Sequence, residues 1–412
     1  MADPLSPSEL VSVRSAALSD NPTRPARRFA FLDKGFRPFF LLAGAFAALV
    51  APLWLFIFEG VVAPTPYFVP MYWHAHEMIF GFAVAVIAGF LLTSVGNWTK
   101  LETATGWPLL ALAGLWIAGR CAMLCVAWLP HGVAAIVDLA FLPALMVALG
   151  RPLVRSNNRR NFVMVGVLGA LFLANLAMHL DALGVLSGWQ RRSCIVGVDI
   201  VVLLILVITG RVLPMFTRNG TGATTIRSHV MLDRLTLGAM ALLTLLDAAL
   251  PGHSVNGIIA AAAAIVALAR AVHWGTRYTV RMPLLWILHL GYLWIPVGLL
   301  LRWWTSVDLT FSSSLATHAL TAGAIGSMTL GMMARVALGH TGRPLVASPW
   351  MTLAFALVTL AAVARVFGPM IFPASYLRAL ETTGVLWSAA FAIFVVVYAP
   401  IVVRGRVDGK LG

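Results

Sequence analysis

Trp73-His74-Ala75-His76-Glu77 opens a long apolar stretch, and residues of these types are costly there. Imidazole ligates haem iron and copper, moves protons near neutral pH, and takes its orientation from carboxylates. Ionisable side chains at the edge of a bilayer call for hydration, a proton, a metal or a haem. His74 and His76 stand two apart, about 200° around an ideal helix, so regular helix cannot aim both at one metal. Either the segment is unwound there or the two rings serve different sites. His74 and Glu77 are three apart and share a face, so Glu77 is placed to orient His74 or to carry protons.

The elements that position these groups follow from composition. Hydrophobic residues make up 60% of the chain and charged ones only 11%, and the mean hydropathy is +0.90. A soluble protein would be nearer half apolar and a quarter charged. Roughly twelve apolar segments are each long enough to cross a membrane. The runs are continuous rather than alternating, which selects helices over a barrel. The expected fold is an all-α, polytopic transmembrane bundle with spans near residues 38–58, 73–95, 107–127, 131–150, 161–181, 193–211, 230–250, 255–273, 282–302, 312–336, 349–367 and 382–403. Residues 1–30 read as a disordered cytoplasmic tail and 31–412 as one helical domain.

The formal charge is +14. The basic residues sit between spans, where they set topology and meet anionic lipid, and no nucleic-acid-binding module accompanies them. Most Lys and Arg fall on the side that also holds both termini, which places the termini in the cytoplasm. Arg191, Arg192, Arg302, Arg365 and Arg378 are expected in outer segments. Three cysteines are too few for a disulfide framework. Cys121 and Cys125 share a helix face, as small apolar residues or as soft copper ligands would.

With this topology several ionisable groups share one level. His74, His76 and Glu77 begin the second span, His179 ends the fifth, and His318 lies about one and a half turns into the tenth. Asp138 and Asp199 occupy the outer halves of the fourth and sixth spans, and His289 lies deeper, in the ninth. A headgroup-level belt would explain any one of these residues. The set at one depth points to a cofactor or proton site, with Glu77 and Asp199 as proton carriers. Asn175, four before His179, either fixes that imidazole's tautomer or bonds between helices. Arg120 and Asp138 flank the Leu129-Pro130 turn evenly, so a hairpin brings them together as an intramembrane ion pair. Toward the inner face, Arg211 and Arg335 leave their spans into basic loops, with His340 beyond. They suit haem propionates, lipid phosphates or ordinary positive-inside topology. With no CxxCH motif, any haem would be non-covalent.

Several stretches together resemble the NnrS family. They are Lys34-Gly35-Phe36-Arg37-Pro38-Phe39-Phe40, Trp73 to Met78 with Gly89 to Thr93 and Asn97-Trp98, Gly210 to Pro214, and His318 to Gly323 running on to Leu338 to Arg343. The resemblance implies a multi-pass protein of the bacterial inner membrane that contains haem, here expected to be b-type, and copper. It further implies a role in denitrification or in resistance to nitric oxide and nitrosative stress. The positions carried over are His74, His76, Glu77, Arg211, His318, Arg335 and His340.

The leading expectation is therefore a haem and copper protein that binds or reduces nitric oxide near the outer face. It would draw on an electron donor that the sequence leaves unnamed. His74, His76, His179 and His318 are the ligand candidates, with His289 in reserve. Two alternatives stand beside it. A proton-coupled transporter would show broken helices and a midplane site. A sensor or metal-delivery protein would bind nitric oxide without turnover.

Overall fold

In a computed structural model, residues 29–63 and 67–409 are described, and no strand occurs among them. The tail expected over 1–30 lies outside the described residues except for Phe29 and Ala30. The chain forms 12 helices, 11 of them long and apolar enough to cross a membrane. In order they are α1 Phe36–Phe58, α2 Pro70–Thr99, α3 Gly106–Leu124, α4 His131–Arg155, α5 Arg159–Ala182 and α6 Trp189–Thr221. Then come α7 Val230–Ala249, α8 Ser254–Trp274, α9 Pro283–Val307, α10 Ser314–His340, α11 Pro349–Ile371 and α12 Pro373–Val403.

The helix that falls short on apolarity is α7, which carries Asp233, Arg234 and Asp247. Its two acids are paired, Asp233 with Arg270 of α8 at 2.5 Å and Asp247 with Arg302 of α9 at 2.6 Å. With its acids paired and a length of 20 residues, α7 is long enough to stand beside the 11 apolar helices, because intramembrane charge is tolerated when it faces a partner inside the bundle.

Helix α2 starts where Pro70 locks its own φ and needs no amide partner. It stops at Lys100, whose φ of 58° is left-handed. α2 and α10 are the most enclosed helices of the bundle. Each contains a π-helical segment, Glu77–Ala83 in α2 and Ala319–Gly326 in α10. Each begins on the residue after a histidine, His76 or His318. Such widened turns commonly mark functional positions. Gly323 lets α10 approach α9, since a Cβ there would stand 2.5 Å from the Trp294 ring.

Short connections make successive helices antiparallel, so alternate loops gather on one face. The α1–α2 loop, the start of α4 and the end of α5 meet there, where Tyr67 lies against His131 and His179. Val69 N donates to Gln190 Oε1 at the start of α6 on the same side. All five arginines expected in outer segments lie within helices: Arg191 and Arg192 in α6, Arg302 in α9, Arg365 in α11 and Arg378 in α12.

Candidate metal centre

His76, Asp138 and His179 bring one donor atom each within 4.8 Å of one another, and all three residues are buried. They come from α2, α4 and α5. No periodicity in any one helix reports this convergence.

His76 Nδ1 faces Glu77 Oε1 at 2.9 Å, and its Nε2 faces Asn175 Oδ1 at 3.0 Å and Asp138 Oδ2 at 3.3 Å. Asn175 donates through Nδ2 to Asp138 Oδ2 at 2.8 Å, which fixes its amide with the oxygen turned to His76. Both His76 nitrogens therefore meet acceptors. The ring satisfies them by carrying two protons, or by exchanging the Nε2 proton for a metal ion.

His179 is oriented differently. Its Nε2 donates to Asp138 Oδ2 at 3.0 Å, and its Nδ1 accepts from the Tyr67 hydroxyl at 2.8 Å. Tyr67 lies in the α1–α2 loop, outside the spans. Burial pushes its phenol above the usual range, and the Asp138 carboxylate pushes it the same way. The phenol thus keeps its proton and holds one tautomer of His179 in place. Tyr67→Phe leaves His179 Nδ1 without a donor and is expected to lower stability by about 1–3 kcal/mol. Equilibrium unfolding in mixed micelles measures this. An unchanged unfolding free energy would mean that the hydroxyl does not orient the ring.

Arg120 of α3 closes the network. It donates to Glu77 Oε1 at 2.7 Å and also to Asp138 Oδ1. With His76 doubly protonated, the two carboxylates meet two cations and the cluster is neutral. Charge balance is what permits so many ionisable groups within the membrane. The rings of Phe68 and Phe80 lie 5.0 and 5.2 Å from His76 and keep the site apolar on that side. A cavity of about 10 Å³ touches Arg120, Asp138 and Asn175. That is room for one water or one ion and not for a porphyrin.

His74 and His318 form a separate group. The His74 ring stacks on Trp54 at 4.7 Å and 18°, and its buried Nδ1 has no hydrogen-bond partner. His318 Nδ1 donates to Ser314 O at 2.7 Å. His74 and His318 lie within electrostatic reach of each other and of Arg365, which bonds Ser314 Oγ at 3.2 Å. One terminal nitrogen of Arg365 is also buried without a partner.

The structure thus divides the expected residues. His76 and His179 come together, and His74 and His318 stand apart from them. Glu77 bonds His76 rather than His74. Asn175 bonds His76 and Asp138 rather than His179. The Arg120–Asp138 pair stands as expected. Asp199 belongs to another cluster, with Arg302. His289 sits between the hydroxyls of Thr217 and Thr276, at 2.8 and 3.0 Å. Arg211 bonds Asn161 at 3.3 Å, Arg335 lies over Phe216 at 4.1 Å, and His340 packs on Phe36 at 5.7 Å. His318 lies near the start of α10 and His340 ends it, and 22 residues of helix put roughly 33 Å between them. One porphyrin cannot reach both. Cys121 and Cys125 are free and exposed.

Tyr67 and the second bond of Arg120 are the residues that sequence reasoning missed. Tyr67 sits in a proline-rich connection with no helical period. Arg120 offered a usable signal: an intramembrane guanidinium carries five donors and asks for more than one acceptor.

A family model described as NnrS protein matches residues 30–406, nearly the whole chain. No match is found among curated proteins. The match covers every helix described above and identifies the chain as a member of the NnrS family, an all-helical protein with many membrane-spanning segments.

Proposed function

We propose that this NnrS-family protein is a redox metalloprotein that handles nitric oxide in the bacterial inner membrane, with both termini in the cytoplasm. The observation that carries the reading is the convergence of His76, Asp138 and His179 beside a charge-balanced carboxylate–guanidinium chain. Two imidazoles and a carboxylate suit copper, and a monovalent cuprous ion in place of the His76 Nε2 proton keeps the cluster neutral. Haem suits the His74 and His318 side, where a buried ring nitrogen and an unpartnered guanidinium nitrogen of Arg365 await a ligand and a propionate.

Bound haem and copper would supply one-electron chemistry toward nitric oxide. The chain's own residues do the rest. Asp138 orients both imidazoles of the copper site. With copper on His179 Nε2, the ring proton would sit on Nδ1 and be donated to the Tyr67 oxygen. Arg120 donates to Glu77 and Asp138 and offsets their charge, and Glu77 Oε1 accepts the proton of His76 Nδ1. Phe68 and Phe80 exclude water. Nitric oxide is small, neutral and lipid-soluble, so the enclosed site needs no polar vestibule. Both π segments keep α2 and α10 continuous, and α4 is interrupted at the single residue Ala140.

Elemental analysis and a reduced-minus-oxidised spectrum of the purified protein test this reading. Copper is expected to be lost in His76→Ala and His179→Ala, and the haem spectrum in His74→Ala and His318→Ala. Protein free of both metals after expression with haem and copper supplied would sink the proposal. Anaerobic nitric oxide consumption with a reductant then separates turnover from sensing, since a sensor shifts its spectrum without consuming the gas.

A further inference from the structure

A second buried charge cluster lies on the same side of the bundle and shares no residue with the histidine site. Asp199 of α6 accepts from Arg302 NH1 of α9 at 2.8 Å through Oδ1. Asp247 of α7 accepts from Arg302 NH2 at 2.6 Å through Oδ2 and from Asn256 Nδ2 of α8 at 2.8 Å through Oδ1. Asn256 also donates to Leu250 O at 3.0 Å, which ties the cluster to the turn between α7 and α8.

The charge count does not close. Two carboxylates face one guanidinium in a region where an uncompensated charge is costly. The charged groups that act on Asp199 are Arg302 and Asp247, while α8 contributes the neutral Asn256. Among the described residues Arg302 is the cation paired with both acids, and no second one plays the part that His76 plays in the other cluster. The excess is one negative charge, and one proton would cancel it.

Polar atoms left unpartnered say where that proton goes. Three of the four carboxyl oxygens have donors. The fourth, Asp199 Oδ2, is buried with no partner. Asn256 Oδ1 is likewise buried and unpartnered, on a residue that is 5% exposed. Asp199 Oδ1 and Asp247 Oδ2 are held by the two terminal nitrogens of one guanidinium, at 2.8 and 2.6 Å, which sets the two carboxyl groups side by side. Two ionised carboxylates are both acceptors and cannot bond, so a proton between them converts a repulsion into a hydrogen bond.

We propose that Asp199, Asp247 and Arg302 form a membrane-embedded proton-binding site, with one proton held on Asp199 Oδ2. The proton belongs to the pair of carboxyl groups rather than to one residue alone. Exchange with the surface runs past Arg302, whose side chain is 18% exposed while that of Asp199 is 1% exposed. Arg302 stands five residues before the end of α9, and Asp247 two before the end of α7. The site is therefore close to one membrane face and stands in reach of protons that do not pass through the histidine cluster.

Infrared spectroscopy of the purified full chain at neutral pH tests this without metal, nitric oxide or an electron donor. Its failure is thus separable from failure of the metal-site reading. The wild type is expected to show the C=O stretch of a protonated carboxylic acid, shifted down in D₂O. Asp199→Asn should remove the band. Asp247→Asn should remove it too, because Asp199 is then left alone with Arg302 and ionises. Asp308→Asn, at a half-buried carboxylate just past the end of α9, should leave it in place. If Asp199→Asn does not accumulate as folded protein, Asp199→Glu should move the band instead. A wild type without such a band, or a band unmoved by changes at both Asp199 and Asp247, would overturn the site.

Discussion

Asp138→Ala is expected to abolish the copper binding proposed for the three-donor site and to lower the unfolding free energy by about 3–5 kcal/mol, the usual cost of removing one partner from a buried ion pair. Asp138 is the hub of the cluster. It accepts from Arg120, Asn175 and His179 and lies 3.3 Å from His76 Nε2. Its loss leaves Arg120 with Glu77 alone and removes the oxygen toward which both imidazoles are turned. Asp138→Asn separates the two effects. The amide keeps an acceptor of the same shape but lacks the charge, so much of the packing survives while the charge balance does not. Unfolding in mixed micelles reads stability, and elemental analysis reads copper. Wild-type copper content in Asp138→Ala would exclude this carboxylate as a ligand and, with it, the three-donor site.

Arg120→Met is expected to cost a similar amount, about 3–5 kcal/mol, because Glu77 and Asp138 are left as two buried carboxylates with only His76 between them. The sharper expectation concerns the double variant. Adding Glu77→Gln removes one negative charge and restores neutrality between Asp138 and doubly protonated His76. Arg120→Met with Glu77→Gln should therefore be more stable than Arg120→Met alone, with a coupling of roughly 0.5–3 kcal/mol, typical of neighbours in one ionic network. Additive losses would mean that the two side chains do not interact and that the 2.7 Å contact contributes nothing. A double-mutant cycle by equilibrium unfolding decides between these outcomes.

Much of this molecule is legible in its sequence. The number and approximate positions of the helices follow from continuous apolar runs, because lipid admits no other open backbone. Even α7 was locatable, although its acids lower its apolarity. The Arg120–Asp138 pair was also legible, since a tight turn between two antiparallel helices puts residues equidistant from it at one depth. Arg302 was read as an outer-loop charge for the opposite reason: apolarity alone does not say how far a helix continues past its last unbroken run.

The site was legible as a depth and illegible as a set of contacts. Helical phase shows that His74 and His76 point in different directions, and the structure agrees, but phase within α2 cannot say which other helix each ring meets. The π turn after His76 brings Glu77 beside that ring, although consecutive residues in regular helix diverge by about 100°. His179, Asn175 and Asp138 reach His76 only because α4 and α5 bring their side chains to the same ring of α2. The local pattern of apolar and ionisable residues therefore determined the spans and the level of the chemistry. Which ionisable groups share a proton or a metal was decided by the rotation and packing of neighbouring helices, and no single helix encodes that.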